Sequence, residues 1–360
     1  MMTVQEIYEL NKKMRPFDEE ARMRAFLRWN SLAKPLGSLG LLESVICDMA
    51  GIRGDENITL KRSLLYVICA DNGVVTEGVS QCGYEATTAV AKALAEGKST
   101  VNHLAEGLSL DIVPVDAGIK DFPGMQSIKN MRVRNGTGNI AVESAMTAEE
   151  AVKAVENGIM LTKKAADEGY EIILTGEMGI GNTTTSSALC SVLLEKDPKE
   201  VTGKGAGLST EGLEKKIGAV KRAKERYLSL HKSNNGSYAE LLTELGGLDI
   251  AVLTGICIGG GLYGVPVLLD GFITLTAALL ATKITPGCRC ALIGSHVSSE
   301  PAAKAIISEL DLKPFIDAGM RLGEGSGAVA ALRLMKMAAG LYNSGHTFNE
   351  IGIEAYKCLD

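Results

Sequence analysis

The sequence has no apolar run long enough to cross a membrane, and even residues 273–281 fall well short of a span. Residues 1–10 carry two glutamates and no apolar core, so they do not resemble a signal peptide. These absences argue against a membrane-spanning or secreted protein. They predict a cytoplasmic protein with no membrane partner.

Metal-ligand patterns are also missing. Cys288 and Cys290 form a lone C-x-C without a second pair at zinc spacing, and the four histidines are not spaced as ligands. The eight cysteines, several of them in apolar surroundings, predict reduced and mostly buried thiols. We therefore expect no metal and no cofactor.

An excess of basic residues is lacking as well, since 37 Lys and Arg face 43 Asp and Glu, for a net charge of −6. A dedicated nucleic-acid surface would need a basic face, so small molecules are the expected partners. Aromatic residues make up only 4%, whereas 41 glycines fit many tight turns. The 360 residues suffice for one large domain or two ordinary ones.

Several short apolar runs end in a glycine-rich or acidic turn and are followed by a helical pattern. The runs predicted as strands cover residues 63–70, 110–115, 171–174, 265–269 and 290–293. Continuous apolar runs favour strands covered on both faces, and their alternation with helices favours a parallel sheet. We predict a Rossmann-like three-layer α/β/α fold with a mostly parallel sheet and a ligand site at the carboxyl ends of its strands.

The helical segments carry their own signals. Thr147 and Glu150 form a capping box, with Val152, Val155 and Ile159 on one face of the helix that follows. Residues 213–230 are amphipathic, and residues 3–50 and 328–360 look helical throughout. The predicted domains are a helical segment at 1–50, a large α/β catalytic domain at 51–327, and helices at 328–360 that join the first segment in a small subdomain.

The most informative stretch is the glycine loop after the third predicted strand, Gly-Glu-Met-Gly-Ile-Gly-Asn-Thr-Thr at residues 176–184. Its Thr/Ser cluster is suited to capping a helix, and such a turn presents backbone N–H groups to an anionic phosphate. It is not a Walker A loop, because no Gly-Lys-Ser/Thr closes it. Glu177 is the carboxylate within this loop.

A second carboxylate, Glu324, stands between Gly323 and Gly325, before a helix that we expect Ser326 to cap. A solvated loop glutamate is the ordinary interpretation. The flanking glycines, however, would let a substrate approach closely, and a carboxylate at a helix start is well held. Glu324 is therefore a candidate general base.

Further polar residues lie at other turns. Lys204 lies within a second glycine-rich segment at residues 203–207 and Lys216 lies near it, and either would neutralise a phosphate if it faced the 177–184 loop rather than solvent. Asp270 follows a strand and is either a site residue or a helix N-cap. We interpret His296 as a hydrogen-bonded turn residue rather than a catalytic one.

Taken together, these motifs resemble the family of nicotinate-nucleotide:dimethylbenzimidazole phosphoribosyltransferases, which act in the cobalamin lower-ligand pathway. The resemblance covers most of the chain, and its motifs follow in order at residues 34–43, 70–79, 176–184, 268–272, 295–296 and 320–328. It implies transfer of phosphoribose from nicotinate mononucleotide to 5,6-dimethylbenzimidazole, which gives α-ribazole 5′-phosphate and nicotinate.

The resemblance also implies a homodimer and assigns the site residues. Glu324 matches the catalytic base. The phosphoribosyl and nicotinate side comprises Glu177, Met178, Gly179, Ile180, Gly181, Asn182, Thr183, Thr184, Gly205, Lys216, Asp270 and Ser298, with Lys216 on the phosphate. The acceptor side comprises Ser80, Cys82, Val90, Leu322 and Gly323.

The sequence departs from the family pattern mainly on the acceptor side. Cys82 stands where a base-contacting serine is expected, and Val90 where a longer residue can occur. Asn72 replaces a common histidine, and Leu36 replaces a proline. These changes leave open an acceptor such as adenine or a phenol.

Two other classes of function fit the sequence less well. A non-catalytic nucleotide-binding partner subunit would be expected to have lost Glu324, which is present. A dinucleotide oxidoreductase needs G-x-G-x-x-G after the first strand, and the turn at residues 71–73 lacks it.

Overall fold

A computed structural model describes residues 2–231 and 236–356 of the chain. Within them, six strands form one sheet in which every neighbouring pair is parallel. The strands are β1 (Ser63–Ala70), β2 (Leu110–Gly118), β3 (Lys129–Asn130), β4 (Ile172–Met178), β5 (Val267–Leu269) and β6 (Leu292–Gly294).

The strand order is β3-β2-β1-β4-β5-β6, that of a doubly wound nucleotide-binding sheet. The chain builds outward from β1 in one direction and from β4 in the other, so the topology switches between these two adjacent strands. A crevice opens at such a switch, outside the carboxyl ends of the strands. The loops after Ala70 and Met178 border this crevice.

Helices cover both faces of the sheet. In chain order they are α1 (Val4–Glu9), α2 (Glu19–Ser31), α3 (Leu41–Arg53), α4 (Glu85–Ala95), α5 (Thr100–Leu104), α6 (Ala148–Asp167), α7 (Asn182–Leu193), α8 (Pro198–Val201), α9 (Thr210–Leu230), α10 (Tyr238–Leu245), α11 (Leu248–Tyr263), α12 (Phe272–Ile284), α13 (Ala303–Glu309) and α14 (Ser326–Ser344). Short 3-10 helices span Leu10–Lys13, Gly73–Glu77 and Pro286–Ala291.

The sheet separates two hydrophobic cores. Side chains of β1 alternate between them: Tyr66 and Ile68 join the core under α6, α7, α11 and α12, while Leu65 and Val67 join the core under α3 and α14. All eight residues of β1 are buried, as the unbroken apolar run predicted. The predicted three-layer α/β/α class is confirmed, with a fully parallel sheet in the part of the chain described.

Each predicted strand overlaps an observed one, although β6 begins at Leu292 rather than at residue 290 and β3 was not predicted. The capping box of α6 is confirmed, and three further details differ from the prediction. β4 continues to Met178, so Glu177 lies at the end of a strand rather than in the loop. The Thr/Ser cluster does not cap α7 and Ser326 does not cap α14. Gly181 and Gly325 hold the two N-cap positions, with φ of +94° and +87°.

α2 and α14 lie in the layer with α3, whereas α1 lies on the other face of the sheet, where Ile7 joins the core under α6. The rings of Trp29 on α2 and Tyr342 on α14 are 5.2 Å apart, and residues 32 and 347 form an isolated β-bridge. The predicted C-terminal helices are wrong beyond Ser344, where Gly345 ends α14 and residues 345–356 form a bridge, turns and coil. Residues 357–360 lie outside the described part, and the division into domains stays a prediction.

Candidate active site

A cleft lies at the carboxyl edge of the sheet, beside the ends of β4, β5 and β6. Its cavity volume is about 180 Å³, and a smaller lobe of about 80 Å³ shares the wall formed by the loop after β4. Predicted residues that line one or both are Glu177, Met178, Gly179, Ile180, Gly181, Asn182, Thr183, Gly205, Lys216, Asp270, Ser298, Ser80, Leu322, Gly323 and Glu324. The structure therefore brings most of the predicted site together.

The loop between β4 and α7 needs glycine for space as well as for conformation. A Cβ on Gly179 would lie 2.5 Å from the carbonyl oxygen of Ala70 and 2.6 Å from Oδ2 of Asp249. Gly181 has φ of +94°, which L side chains rarely adopt. The main chain of this loop therefore passes close to β1 and turns sharply into α7, whose positive N-terminal end meets the cleft.

Beneath this loop, one amide joins two buried carboxylates. Nδ2 of Asn182 donates hydrogen bonds to Oε2 of Glu177 and, at 2.9 Å, to Oδ2 of Asp249. Burial, supported by repulsion from neighbouring carboxylates, raises the pKa of Glu177 to about 8. Burial likewise raises the pKa of Asp249 to about 6. Near neutral pH, Glu177 is therefore mainly a neutral acid.

This pKa predicts a measurable pH dependence of stability. The folded protein keeps a proton on Glu177 up to about pH 8, whereas the ordinary pKa of a glutamate is 4.5. The contribution of protonated Glu177 to folding stability is therefore complete below pH 4.5 and is lost as the pH rises from 4.5 to 8. Between pH 6 and 8, above the titration of Asp249, the free energy of unfolding should fall by up to about 1.4 kcal/mol per pH unit. In Glu177→Gln that fall should be weaker.

Urea unfolding at a series of pH values measures both slopes. The exposed Glu149, in the first turn of α6, supplies the control Glu149→Gln. A Glu177→Gln slope equal to that of the wild type between pH 6 and 8 would show that Glu177 does not titrate there.

Glu324 lies in an unusual turn directly beside Glu177. Gly323, Glu324 and Gly325 have φ of +95°, +58° and +87°, so Glu324 is held in the left-handed region between two glycines. Its N–H donates to the carbonyl oxygen of Glu177 at 3.2 Å, and its Oε2 accepts from the N–H of Val101 at 3.2 Å. Left-handed geometry is costly for a non-glycine residue and is found mainly at functional sites.

Asp270 holds this turn from below. One oxygen accepts from the N–H groups of Gly327 and Ala328 at 2.7 and 3.0 Å, and the other from that of Gly325 at 3.2 Å. The sequence left Asp270 as either a site residue or a helix N-cap, and it is both, since it lines the cleft and caps a helix. The helix that it caps is α14, rather than α12, which follows it in the chain. Burial raises its pKa, while the nearby His296 and these amides lower it.

Removing this cap should destabilise the protein. We expect Asp270→Ala to lower the free energy of unfolding by about 2–4 kcal/mol, because the amides of Gly327 and Ala328 lose a charged acceptor in a buried place. The matched control is Ser326→Ala, which alters the residue that the sequence suggested as the cap and should cost less than about 1 kcal/mol. Urea unfolding of both variants measures the difference, and a larger cost for Ser326→Ala would contradict it.

Lys216 projects from α9 and is completely buried at the smaller lobe. Its Nζ donates to Oγ1 of Thr183 at 2.8 Å and to the carbonyl oxygen of Gly203 at 3.0 Å. Burial lowers its pKa to about 8, so the ammonium form still prevails at neutral pH. Lys204 is exposed. Both lysines line the smaller lobe, but only Lys216 is buried there, with its Nζ beside the first turn of α7.

Three predicted residues are not placed in the cleft wall. Cys82 is exposed on the loop before α4, and Val90 packs towards the core under α3 and α14. Thr184 is fully buried in the first turn of α7. Cys82 and Val90, which depart from the expected family pattern, therefore do not line the cleft. Val90 lies on the side of α4 that faces the core.

Several residues that support or line the cleft were not predicted from the sequence. Asp249 begins the apolar helix α11 without any motif, and Glu300 and Arg321 line the cleft from loops. His296 also lines it, and its Nδ1 lies 2.9 Å from Oγ of Ser295, in keeping with a hydrogen-bonded turn residue. An acidic residue that opens an otherwise apolar helix was the one usable signal for Asp249.

The described residues show neither a metal centre nor a membrane-spanning helix. Within residues 2–231 and 236–356, no group of three or more His, Cys, Asp or Glu side chains is arranged to hold a metal ion. In the same ranges, no helix is both long and apolar enough to span a bilayer.

Comparisons with known proteins identify the family of the chain. A family model described as phosphoribosyltransferase (DBI_PRT) matches residues 14–353. The nicotinate-nucleotide--dimethylbenzimidazole phosphoribosyltransferase of Ruminiclostridium cellulolyticum is 44% identical over 95% of this chain and 96% of its own length. The protein of that name from Clostridium acetobutylicum is 40% identical over 98% of this chain and 99% of its own.

A solved structure shows the same relationship. The crystal structure of CobT from Thermus thermophilus superposes with a TM-score of 0.86 at 36% identity, covering 94% of this chain and all of that one. The chain therefore belongs to the DBI_PRT family of phosphoribosyltransferases, which confirms the resemblance predicted from its motifs.

Proposed function

We propose that the protein transfers the phosphoribosyl group of nicotinate mononucleotide to 5,6-dimethylbenzimidazole or a related base, giving α-ribazole 5′-phosphate and nicotinate. The observation that carries this proposal is the placement of opposite charges along one loop. Glu324 contacts Glu177 at the end of β4, and Lys216 contacts Thr183 at the start of α7, so the two charges lie at the two ends of this loop. A nucleotide laid along residues 177–183 would have its phosphate at the ammonium and its anomeric carbon towards the carboxylate.

The chemistry fits these two groups. The pyridinium of the nucleotide leaves as neutral nicotinate nitrogen, so the glycosidic bond is already activated. A benzimidazole nitrogen attacks the anomeric carbon from the opposite face, and the β bond becomes α. Positive charge then grows on the benzimidazole, and its other N–H becomes acidic. Glu324 stabilises this charge and accepts the proton.

Loop geometry supports Glu324 in this role. Asp270 fixes the amides of the turn, and the N–H of Val101 holds one carboxylate oxygen. A base held by its surroundings loses less entropy when it meets the substrate. The partly exposed Leu322 and Gly323 border the same part of the cleft, which suits an apolar acceptor ring.

The acceptor is the least constrained part of the proposal. Asn72, which contacts Ile180 and Thr185 beside the cleft, departs from the family pattern, and this observation keeps adenine and phenols as second candidates. A phenol would be deprotonated by the same Glu324. A non-catalytic binding role is less well supported, because Glu324, Glu177 and Lys216 all remain in or at the cleft.

One competition assay tests the reaction and the acceptor together. The purified protein is mixed with nicotinate mononucleotide and equimolar 5,6-dimethylbenzimidazole, adenine and p-cresol, and products are identified by mass spectrometry. We expect α-ribazole 5′-phosphate as the main product. A different adduct would identify another acceptor, and no nicotinate release with any acceptor would overturn the proposed activity.

We also propose a cytoplasmic homodimer. The seven cysteines of the described residues are all free, which suits a reducing compartment. Exposed apolar side chains on α2 and α14 offer a surface for association, namely Met23, Phe26, Leu27, Met337 and Leu341. Light scattering after size exclusion should give twice the chain mass; a monomer at micromolar concentration would contradict the dimer.

A further inference from the structure

Glu300 is a charge in the cleft wall that the proposed chemistry does not use. It lies between β6 and α13, is 8% exposed, and borders the cleft together with Gly205. Its Oε1 accepts from the N–H of Gly205 at 3.1 Å, whereas its Oε2 has no hydrogen-bond partner among the described residues. A buried carboxylate near a phosphate site opposes anion binding, so its presence calls for a compensating role.

The contacts of Glu300 with the backbone of residues 203–207, here called the glycine segment, indicate that role. Glu300 contacts it through Gly205 and also packs against Gly203, where an added Cβ would lie only 2.2 Å from Oε2. Lys216 contacts the same segment through the carbonyl oxygen of Gly203. The carboxylate and the ammonium are thus both anchored to the glycine segment.

Glu300 also places a negative charge near Lys216, although the two side chains form no direct ion pair. Burial lowers the pKa of the lysine to about 8, and attraction to Glu300 raises it against that effect. The other charged groups on α9 and on the elements packed against it are exposed or engaged in interactions of their own. Lys224 donates to backbone carbonyls. The exposed groups are Lys199, Lys204, Glu214 and Glu240, and the ion pairs are Lys196–Glu200, Glu211–Lys215, Lys221–Glu225, Arg222–Glu77 and Arg226–Glu244. Removal of Glu300 would leave a buried ammonium without this support.

We propose that Glu300 is a positioning residue that holds the glycine segment, and with it the Lys216 ammonium, in place for the nucleotide phosphate. This inference rests on the proposed function, because it takes nicotinate mononucleotide as the phosphate-bearing ligand. Glu300 acts through Lys216 and the backbone of Gly205, and it does not contact the reacting atoms.

Titration calorimetry with nicotinate mononucleotide, from pH 6.5 to 8.5, tests this role without depending on turnover. In Glu300→Gln, the amide oxygen can still accept from Gly205, but the negative charge is gone. We expect its Kd to stay within about twofold of the wild type at pH 6.5 and to be about fivefold weaker at pH 8. The pH at which Kd starts to rise should move down by about one unit, since Lys216 loses its proton earlier.

The control is Glu211→Gln, which removes the same charge from an exposed side chain on α9 and should follow the wild type. Gly203→Ala is a second route to the same effect, because its Cβ would displace Glu300. Circular dichroism confirms that each variant is folded. If the wild type binds and Glu300→Gln either shares its pH profile or is weaker by a constant factor at every pH, the inference is overturned. If the wild type does not bind the nucleotide, the proposed function is contradicted, and the role of Glu300 is contradicted with it.

Discussion

Replacement of Glu324 by glutamine should lower kcat at least about a hundredfold, while the Kd for nicotinate mononucleotide changes less than about threefold. Glutamine has nearly the same shape, and its amide oxygen can still accept from the N–H of Val101. It cannot, however, accept the proton that the acceptor base releases. The loss should therefore fall on the chemical step rather than on nucleotide binding.

Steady-state kinetics with saturating acceptor, together with calorimetry of nucleotide binding, separate these two effects. Thermal unfolding shows whether the turn at Glu324 has survived the change. The control is Glu6→Gln, which removes a carboxylate from the exposed capping box of α1. Glu6 does not line the cleft. Turnover of Glu324→Gln within a few-fold of the wild type would remove Glu324 from the role of base.

The strands were predictable because burial on both faces of a sheet requires consecutive apolar residues, and this pattern is visible in the local sequence. β1 is apolar at almost every position, and its two rows of side chains enter two different cores. The strand order was not predicted, because the pairing of Ser63 with Ile172 joins residues more than 100 positions apart. No property of either segment alone encodes that neighbour.

Helix ends show a different limit of sequence reasoning. Cap patterns look for a Ser, Thr, Asp or Asn next to the helix it serves. At α14, the acceptor for the first N–H groups is Asp270, which lies at the end of β5. Gly325 holds the cap position itself because it can adopt φ of +87°. The glycines around Glu324 were interpreted as room for a substrate, whereas one of them, Gly325, serves as the helix cap.

Lys216 shows the same limit within a helix. The amphipathic pattern of α9 did not separate it from its exposed neighbour Lys215. Its burial depends on Thr183 and Gly203, which come from other segments and provide its hydrogen-bond acceptors. Only the family resemblance selected Lys216 over the exposed Lys204, and its role at a phosphate stays a prediction until binding is measured.

That prediction can be made quantitative. Replacement of Lys216 by alanine should raise the Michaelis constant and the Kd for nicotinate mononucleotide about 10- to 100-fold, the effect of losing one charge-assisted hydrogen bond to a phosphate. Lys216→Met fills more of the same space without the charge and should give a similar loss. Because Lys216 lines the smaller lobe whereas Glu324 lines the larger one, kcat at saturation should fall less than about tenfold.

The pH dependence distinguishes a charge effect from a packing effect. With a pKa of about 8, Lys216 carries its proton below that pH and loses it above. Wild-type affinity should therefore weaken above pH 8, while the affinity of Lys216→Met, already lacking the charge, should not weaken further through this group. Lys215→Met, which changes an exposed neighbour paired with Glu211, should bind like the wild type throughout. Unchanged affinity in both Lys216 variants would place the phosphate elsewhere, and the orientation of the nucleotide along residues 177–183 would have to be reversed or abandoned.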